Sequence, residues 1–300
     1  MKLMTFDVGG TEIKYAVMNE DYFVTHKGSL PTPMDSFDRF ASVIRNIYLL
    51  HKDEVEGIAM SMPGFVDPAK GVILGGGMLT YTWRRELAKE LSEYCGCPVV
   101  IENDGKAAVW AEYTSGSLKG CRNAAVFVIG TGVGGGIIIN GELVRGIHGT
   151  AGEYSFMISN PADVRDVCGF MAGCCSTWGL LNLYRKLKKT DEQIDGREFF
   201  RRVDKDEIAM ETLNVFAGNI AKEIFNLCWL LDLERIAIGG GISRQPILTE
   251  KINEKFRVLC DNNFFNEYCN YLNTEIVQAK YCNDANLIGA YMTYCKYVHN

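Results

Sequence analysis

The sequence predicts an α/β protein assembled from two similar halves, and three observations predict it. Residues 3–18, LMTFDVGGTEIKYAVM, run from one apolar β-type stretch through a glycine turn into a second. Residues 124–139, AAVFVIGTGVGGGIII, do the same again. Behind each hairpin, short apolar runs alternate with stretches of helical spacing, the pattern of helices layered on a sheet.

The elements follow in order. Residues 35–50 (DSFDRFASVIRNIYLL) place their apolar side chains at helical spacing. Residues 56–62 (EGIAMSM) form an apolar strand stopped by the turn Pro63-Gly64. Residues 84–95 are an amphipathic helix, 98–102 (PVVIE) a buried strand, and 106–115 a helix preceded by Asn103-Asp104-Gly105. Ser115-Gly116-Ser117 breaks the pattern. It sets a first lobe at 1–117, completed by a closing helix at 286–300, and a second lobe at 118–285. The second half carries helical spacing at 174–188, 206–232, 245–260 and 284–298, with strands at 235–238 and 274–279.

Glycine adopts positive φ at no steric cost and lets backbone N–H groups approach an anion. One turn offers Asp7, Gly9, Gly10 and Thr11, and the other Gly130, Thr131, Gly132, Gly134, Gly135 and Gly136. Two such turns can close two loops on one phosphate chain, which points to a nucleotide-dependent phosphotransferase. Each alone would pass as an ordinary hairpin. No G-x-x-x-x-G-K-[ST] loop occurs, and Glu12–Met18 alternates like a strand instead of opening the helix of a dinucleotide fold.

With 47% hydrophobic and 23% charged residues, the chain can fill the cores of one large or two medium domains. A net charge of −6 argues against a nucleic-acid role, which wants a basic face. No apolar run approaches the roughly 18 residues of a membrane span. Met1-Lys2-Leu3 leads straight into a strand, so no signal peptide is expected. The eleven cysteines then read as reduced thiols of a cytoplasmic protein.

Asp104 is the carboxylate best placed for chemistry. It follows a buried strand, where open α/β sheets form their ligand crevice, and could accept the proton of an attacking alcohol. Asn103 beside it offers an amide to hydroxyl groups. The same residues would also make a plain Asn-Asp-Gly turn. Asp7, so close to phosphates, calls for an intervening Mg²⁺ reached through water, or is a turn cap. Gly239-Gly240-Gly241 can let adenosine lie against the backbone or simply turn from strand to helix. Glu153 could bind sugar hydroxyls or sit solvated on its loop. Cys168, Cys174 and Cys175 fit structural zinc poorly, with two adjacent and no fourth ligand nearby.

Together these residues resemble the ROK family (repressors, open reading frames and sugar kinases) of the hexokinase and actin-like ATPase superfamily. Asp7-Val8-Gly9-Gly10-Thr11 looks like its first phosphate motif, Pro63-Gly64-Phe65-Val66-Asp67 its P-G-x-V-D turn and Glu102-Asn103-Asp104 its E-N-D motif. Ile129–Gly136 is similar to its second phosphate loop, Ile238–Gly241 to its adenosine segment, and Asp284–Ala290 to its closing helix. The resemblance implies a two-lobed actin-like (ribonuclease H-like) α/β fold with the active site in the interlobe cleft. It implies a homodimeric kinase acting on a sugar with ATP and Mg²⁺, with Asp104 as general base. Asn103, Glu153, Gly64, Phe156 and Gly77 would meet the sugar. Asp7, Gly9, Gly10, Thr11, Lys14, Thr131, Gly132, Gly134, Gly239, Gly240 and Gly241 would hold ATP. With a strand expected at the very start, the family repressors' DNA-binding domain is not expected; a catalytically weak sugar-sensing regulator is the alternative.

The departures from the family are local. The family usually reads G-E-x-G-H, and here Gly152-Glu153-Tyr154-Ser155-Phe156 puts Phe156 where His is expected. In the zinc motif Asp166 replaces the first Cys, an extra residue precedes Gly173-Cys174, and Ser176 stands near the expected Glu, so no zinc is expected. Gly75-Gly76-Gly77 replaces a bulkier Asn-Leu segment. A less polar, aromatic-lined pocket resembles the zinc-less β-glucoside kinase branch, which implies a site wider than a glucokinase's.

Overall fold

The structure of the protein, a computed structural model, describes residues 1–298; residues 299–300 of the expected closing helix lie outside the described residues. In chain order it runs β1 (Lys2–Val8), β2 (Glu12–Asn19), β3 (Val24–Pro31), α1 (Phe37–Leu49), β4 (Ile58–Met62), β5 (Phe65–Asp67) and β6 (Val72–Gly75). Then follow α2 (Leu87–Cys95), β7 (Val99–Asn103), α3 (Asp104–Ser115), β8 (Ala124–Ile129), β9 (Val133–Ile139), β10 (Glu142–Leu143), α4 (Met171–Cys174) and α5 (Thr177–Lys188). The chain closes with α6 (Gly196–Arg202), α7 (Glu207–Leu231), β11 (Arg235–Gly239), α8 (Pro246–Asp261), β12 (Glu275–Gln278) and α9 (Ala285–Val298). None of the described helices is long and apolar enough to cross a membrane.

The chain divides into two compact units. The first contains Met1–Ala111, Arg145–Ala151 and the described part of Asp284–Asn300; the second contains Glu112–Val144 and Gly152–Asn283. Each has a five-stranded sheet, ordered β3-β2-β1-β4-β7 in the first and β10-β9-β8-β11-β12 in the second. In both, a glycine hairpin supplies two antiparallel strands, a third antiparallel strand flanks them, and two parallel strands complete the other side. The sequence repeat is therefore a repeat of topology.

In the first unit, β4 and β7 are buried at every position, as parallel strands covered on both faces must be. Met4, Phe6, Ile58, Met60 and Ile101 pack with Phe40 and Ile44 of α1 and Leu87 and Leu91 of α2. Helix α9 also packs on β1, β4 and β7. Gly289 lets it also lie close against α3: a Cβ there would lie 1.9 Å from the Ala107 carbonyl oxygen. In the second unit Phe127, Ile129, Ile236 and Ile238 pack with Phe216, Ile220 and Ile224 of α7 and Leu248 and Ile252 of α8. Burial of each such side chain contributes about 1.5–3 kcal/mol.

Several boundaries differ from the sequence reading. Helix α2 starts at Leu87, not 84, because Arg84 is left-handed (φ 58°). Helix α3 starts at Asp104, so Asn103-Asp104-Gly105 is a helix start and not a free turn. The helix expected at 174–188 is broken at Cys175, and Ser176 caps α5 by accepting the Gly179 N–H. β3, β5, β6, β10 and α6 were not foreseen; β3 (VTHKGSLP) contains Gly and Pro and is largely exposed. Residues 112–117, assigned to the first lobe by the sequence, lie in the second unit. There the fully buried Glu112 carboxylate accepts from the backbone N–H groups of Ser117 (2.8 Å), Lys280 (3.1 Å) and Tyr281 (2.7 Å). Residues 145–151 lie in the first unit, where Arg145 grips the buried Glu102 with two hydrogen bonds of 2.8 and 2.6 Å.

Candidate active site

The first unit builds its part of the site where β7 becomes α3. Asn103, the last strand residue, caps the helix: its Oδ1 accepts from Lys106 N–H at 3.0 Å and lies 3.4 Å from the buried Lys106 Nζ. Its Nδ2 donates to the Gly64 carbonyl (2.9 Å) and to Asp104 Oδ1 (3.0 Å), and Gly105 N–H donates to the same oxygen (2.8 Å). Asp104 thus begins a helix, where the aligned peptide dipoles favour negative charge. Gly64 (φ 104°) and Gly77 (φ 70°) need glycine for their backbone, and a Cβ on Gly77 would lie 3.0 Å from Pro63. Asp104, Asn103, Gly64 and Gly77 therefore come together as one corner.

The first hairpin belongs to the same unit. Asp7, near the end of β1, is buried and accepts from Asn286 Nδ2 (2.9 Å) and Ser61 Oγ (3.3 Å), while Lys14 Nζ lies 3.5 Å from its other oxygen. Among the described residues Oδ2 meets only Lys14, at that long distance, so the carboxylate fits a water-mediated hold on Mg²⁺. Gly9, Gly10 and Thr11 form the turn, backed by Thr32, whose Oγ1 donates to Gly9 O (2.7 Å) and whose N–H donates to Thr11 O (3.0 Å). Positive φ, one of the two reasons expected for these glycines, does not apply: Gly9, Gly10, Gly132, Gly134 and Gly135 all lie outside the positive-φ region. Several are needed for space instead. A Cβ would lie 3.0 Å from Glu12 O at Gly9, 2.9 Å from Met78 Sδ at Gly10 and 2.9 Å from Ser155 Oγ at Gly132.

In the second unit, Gly130-Thr131-Gly132 joins β8 to β9, and Gly130 N–H donates to Gly132 O (3.0 Å). Ser155 braces the exit of this turn by accepting from Val133 N–H at 2.8 Å. Glu153 lies two residues before Ser155 and Phe156 directly after it; Glu153 is half-buried and Phe156 is 62% exposed. Gly240, left-handed at φ 93°, abuts the same hairpin, since a Cβ would lie 2.2 Å from Ile129 O. A cleft of about 640 Å³ is lined by Gly130, Thr131 and Gly241 together with Thr177, Arg197 and Arg244. The glycine loop and the proposed adenosine segment thus meet within one unit.

Several contributors were missed. Arg197 and Arg244 carry no local pattern that marks them. Glu102 and Lys106 did leave a signal, charges set between the apolar runs 99–101 and 107–109, which must find partners when buried. In the eroded zinc region Cys174 and Cys175 sit with Sγ atoms 3.6 Å apart. The Cys175 contact, helped by Ser159 and Lys222 against the effect of burial, brings the Cys174 thiol down to about 7. Cys168 does not join them in a group of three at ligand distance.

The model of the ROK family matches residues 3–296. A beta-glucoside kinase of Listeria monocytogenes is 31% identical, covering 97% of this chain and 96% of its own. A ROK family protein from Streptococcus pneumoniae, solved in complex with sucrose, superposes with a TM-score of 0.85 at 29% identity, covering 99% of this chain and 98% of the other. A ROK family glucokinase from Streptomyces griseus, in complex with glucose and AMPPNP, has a TM-score of 0.83 at 23% identity, covering 97% and 98%, and shares the fold.

Proposed function

The chain belongs to the ROK family, and on that premise we propose that it is an ATP-dependent sugar kinase acting on the 6-hydroxyl of a hexose or β-glucoside. The observation that carries this reading is the corner at the end of β7, where Asn103 and Gly105 hold Asp104 at the start of α3. Asp104 takes the proton of the acceptor hydroxyl as its oxygen attacks the γ-phosphorus. The bond from that phosphorus to the β,γ-bridging oxygen breaks, and ADP leaves. Asn103 meets a sugar hydroxyl by exchanging one of its present partners.

Gly9, Gly10, Thr11 and Lys14 in the first unit, and Thr131, Gly132 and Gly134 in the second, hold phosphate oxygens through N–H, hydroxyl and ammonium donors. Gly239, Gly240 and Gly241 accommodate the nucleoside, and Arg197 and Arg244 add positive charge to the same cleft. Mg²⁺, when bound, offsets the charge of the phosphate chain, with Asp7 as its water-mediated anchor.

The exposed ring of Phe156, in place of the family's usual histidine, supports a site open to a glycoside, since an aromatic face packs on the apolar face of a pyranose. The names of the Listeria relative and the sucrose-bound neighbour support the same direction. A coupled ADP-release assay with Mg-ATP over glucose, fructose, mannose, N-acetylmannosamine, cellobiose and aryl β-glucosides tests both levels. Turnover on the glycosides above that on free glucose is expected. Strong preference for glucose overturns the wide site but not the kinase, and silence on every sugar overturns the kinase in favour of a sugar-sensing regulator.

A further inference from the structure

A second cluster of chemically capable side chains lies in the first unit, and the sugar-kinase reading makes no use of it. Among the described residues, His26, His51 and Glu54 are the one group of three or more His, Cys, Asp or Glu whose donor atoms all lie within 4.8 Å of one another. His26 comes from β3, at the bulge where two residues oppose one between the pairs Tyr15↔Gly28 and Val17↔Thr25. It adopts the left-handed conformation, φ 50°, which residues with side chains rarely take. His51 and Glu54 come from the turn after α1, where Glu54 N–H donates to His51 O at 3.0 Å. His51 Nδ1 lies 2.7 Å and His26 Nε2 3.6 Å from the same oxygen, Glu54 Oε1, and the two imidazole centroids are 4.6 Å apart.

We propose that His26, His51 and Glu54 form a binding site for a divalent transition ion of the zinc class. A tetrahedral ion with bonds of about 2.0–2.2 Å sets its donors roughly 3.3–3.5 Å apart. The separations of 2.7 and 3.6 Å bracket that value, so small side-chain shifts complete the triad. Two imidazoles and one carboxylate suit zinc, cobalt or nickel and not magnesium or calcium, which prefer all-oxygen shells. The side chains of His26, Glu54 and His51 are 52%, 33% and 14% exposed, so an ion can enter and water can fill the remaining position. The bound ion ties β3 to the end of α1. Because β3 leads into Thr32, which backs the first glycine hairpin, the clip also braces that hairpin.

The test uses the full-length protein, stripped with a chelator and titrated with cobalt(II). One equivalent is expected to bind, with weak visible bands of nitrogen and oxygen ligation and no sulfur-to-cobalt charge transfer, and zinc should displace it. His51→Ala and His26→Asn should each weaken binding at least about tenfold. Asparagine is chosen at position 26 because it tolerates the left-handed backbone, and Glu54→Gln gives a third variant of nearly unchanged shape. Absence of saturable uptake, a signal carried wholly by thiolate charge transfer, or equal affinity in the folded variants would overturn the proposal.

Discussion

Asp104→Asn isolates the proton-accepting step. An asparagine carbonyl can still accept from Gly105 N–H and Asn103 Nδ2, so the corner keeps its shape while the base is lost. The expected result is a fall in kcat of about 10²- to 10⁴-fold with little change in stability, read by steady-state kinetics and thermal melting. Retention of full turnover would remove Asp104 from the chemistry. At this scale the sequence was most readable where partners are close neighbours in the chain: Asn103, Asp104 and Gly105 bond to one another. It was least readable for Glu102, whose partner Arg145 is 43 residues away. The hairpin glycines stood out by identity, but the positive φ expected of them is absent. Their φ values are ordinary, and the need for space depends on Met78 and Ser155, which no local pattern places beside them.

Helix α7 begins at a cap that carries more than its backbone bond. Asp206 accepts from Ile208 N–H (3.0 Å), Tyr184 Oη (2.7 Å) and Lys188 Nζ (2.8 Å), so it joins α7 to α5 as well. Lys188, then Tyr184 and the cap bond, hold its carboxyl down at about 2. Asp206→Ala should cost about 1–2 kcal/mol in denaturant unfolding near neutral pH. Because the folded value is depressed, this contribution is complete above the unfolded carboxyl's value of about 3.9 and is lost as the pH falls through about 2. The gap between wild type and variant should therefore close in acid, and a gap that widened would contradict the ion-pair origin. Elements with one clear signal, helical period in α1 and α7 and apolar runs in β4 and β7, were legible. β3 was not, because its Gly, Pro and exposed charges suppress the alternation, and its place in the sheet is set by pairing with β2.

The whole chain repeats one sheet plan, yet its two units are not two consecutive stretches of sequence. The first unit borrows α9 from the far end, and Leu287, Ile288, Tyr291, Met292 and Tyr294 are buried there. Their burial amounts to on the order of 10 kcal/mol, comparable with the stability of an entire domain. A chain ending before Ala285 should leave residues 1–111 open to proteolysis while the second unit's core resists, and equal resistance of both would show α9 to be dispensable. The doubled hairpins made the two-part plan visible in sequence. The exchange of 112–117 and 145–151 was not visible, because it depends on Glu112 and Arg145 finding distant partners. The amide of Asn286 that steadies Asp7 imposes an order in time. A ribosome releases the first glycine turn long before this support, which lies 279 residues further along. Until then Asp7 lacks one of the partners that fix its carboxylate, so that side chain reaches its final setting only after the residues of the second unit have been made.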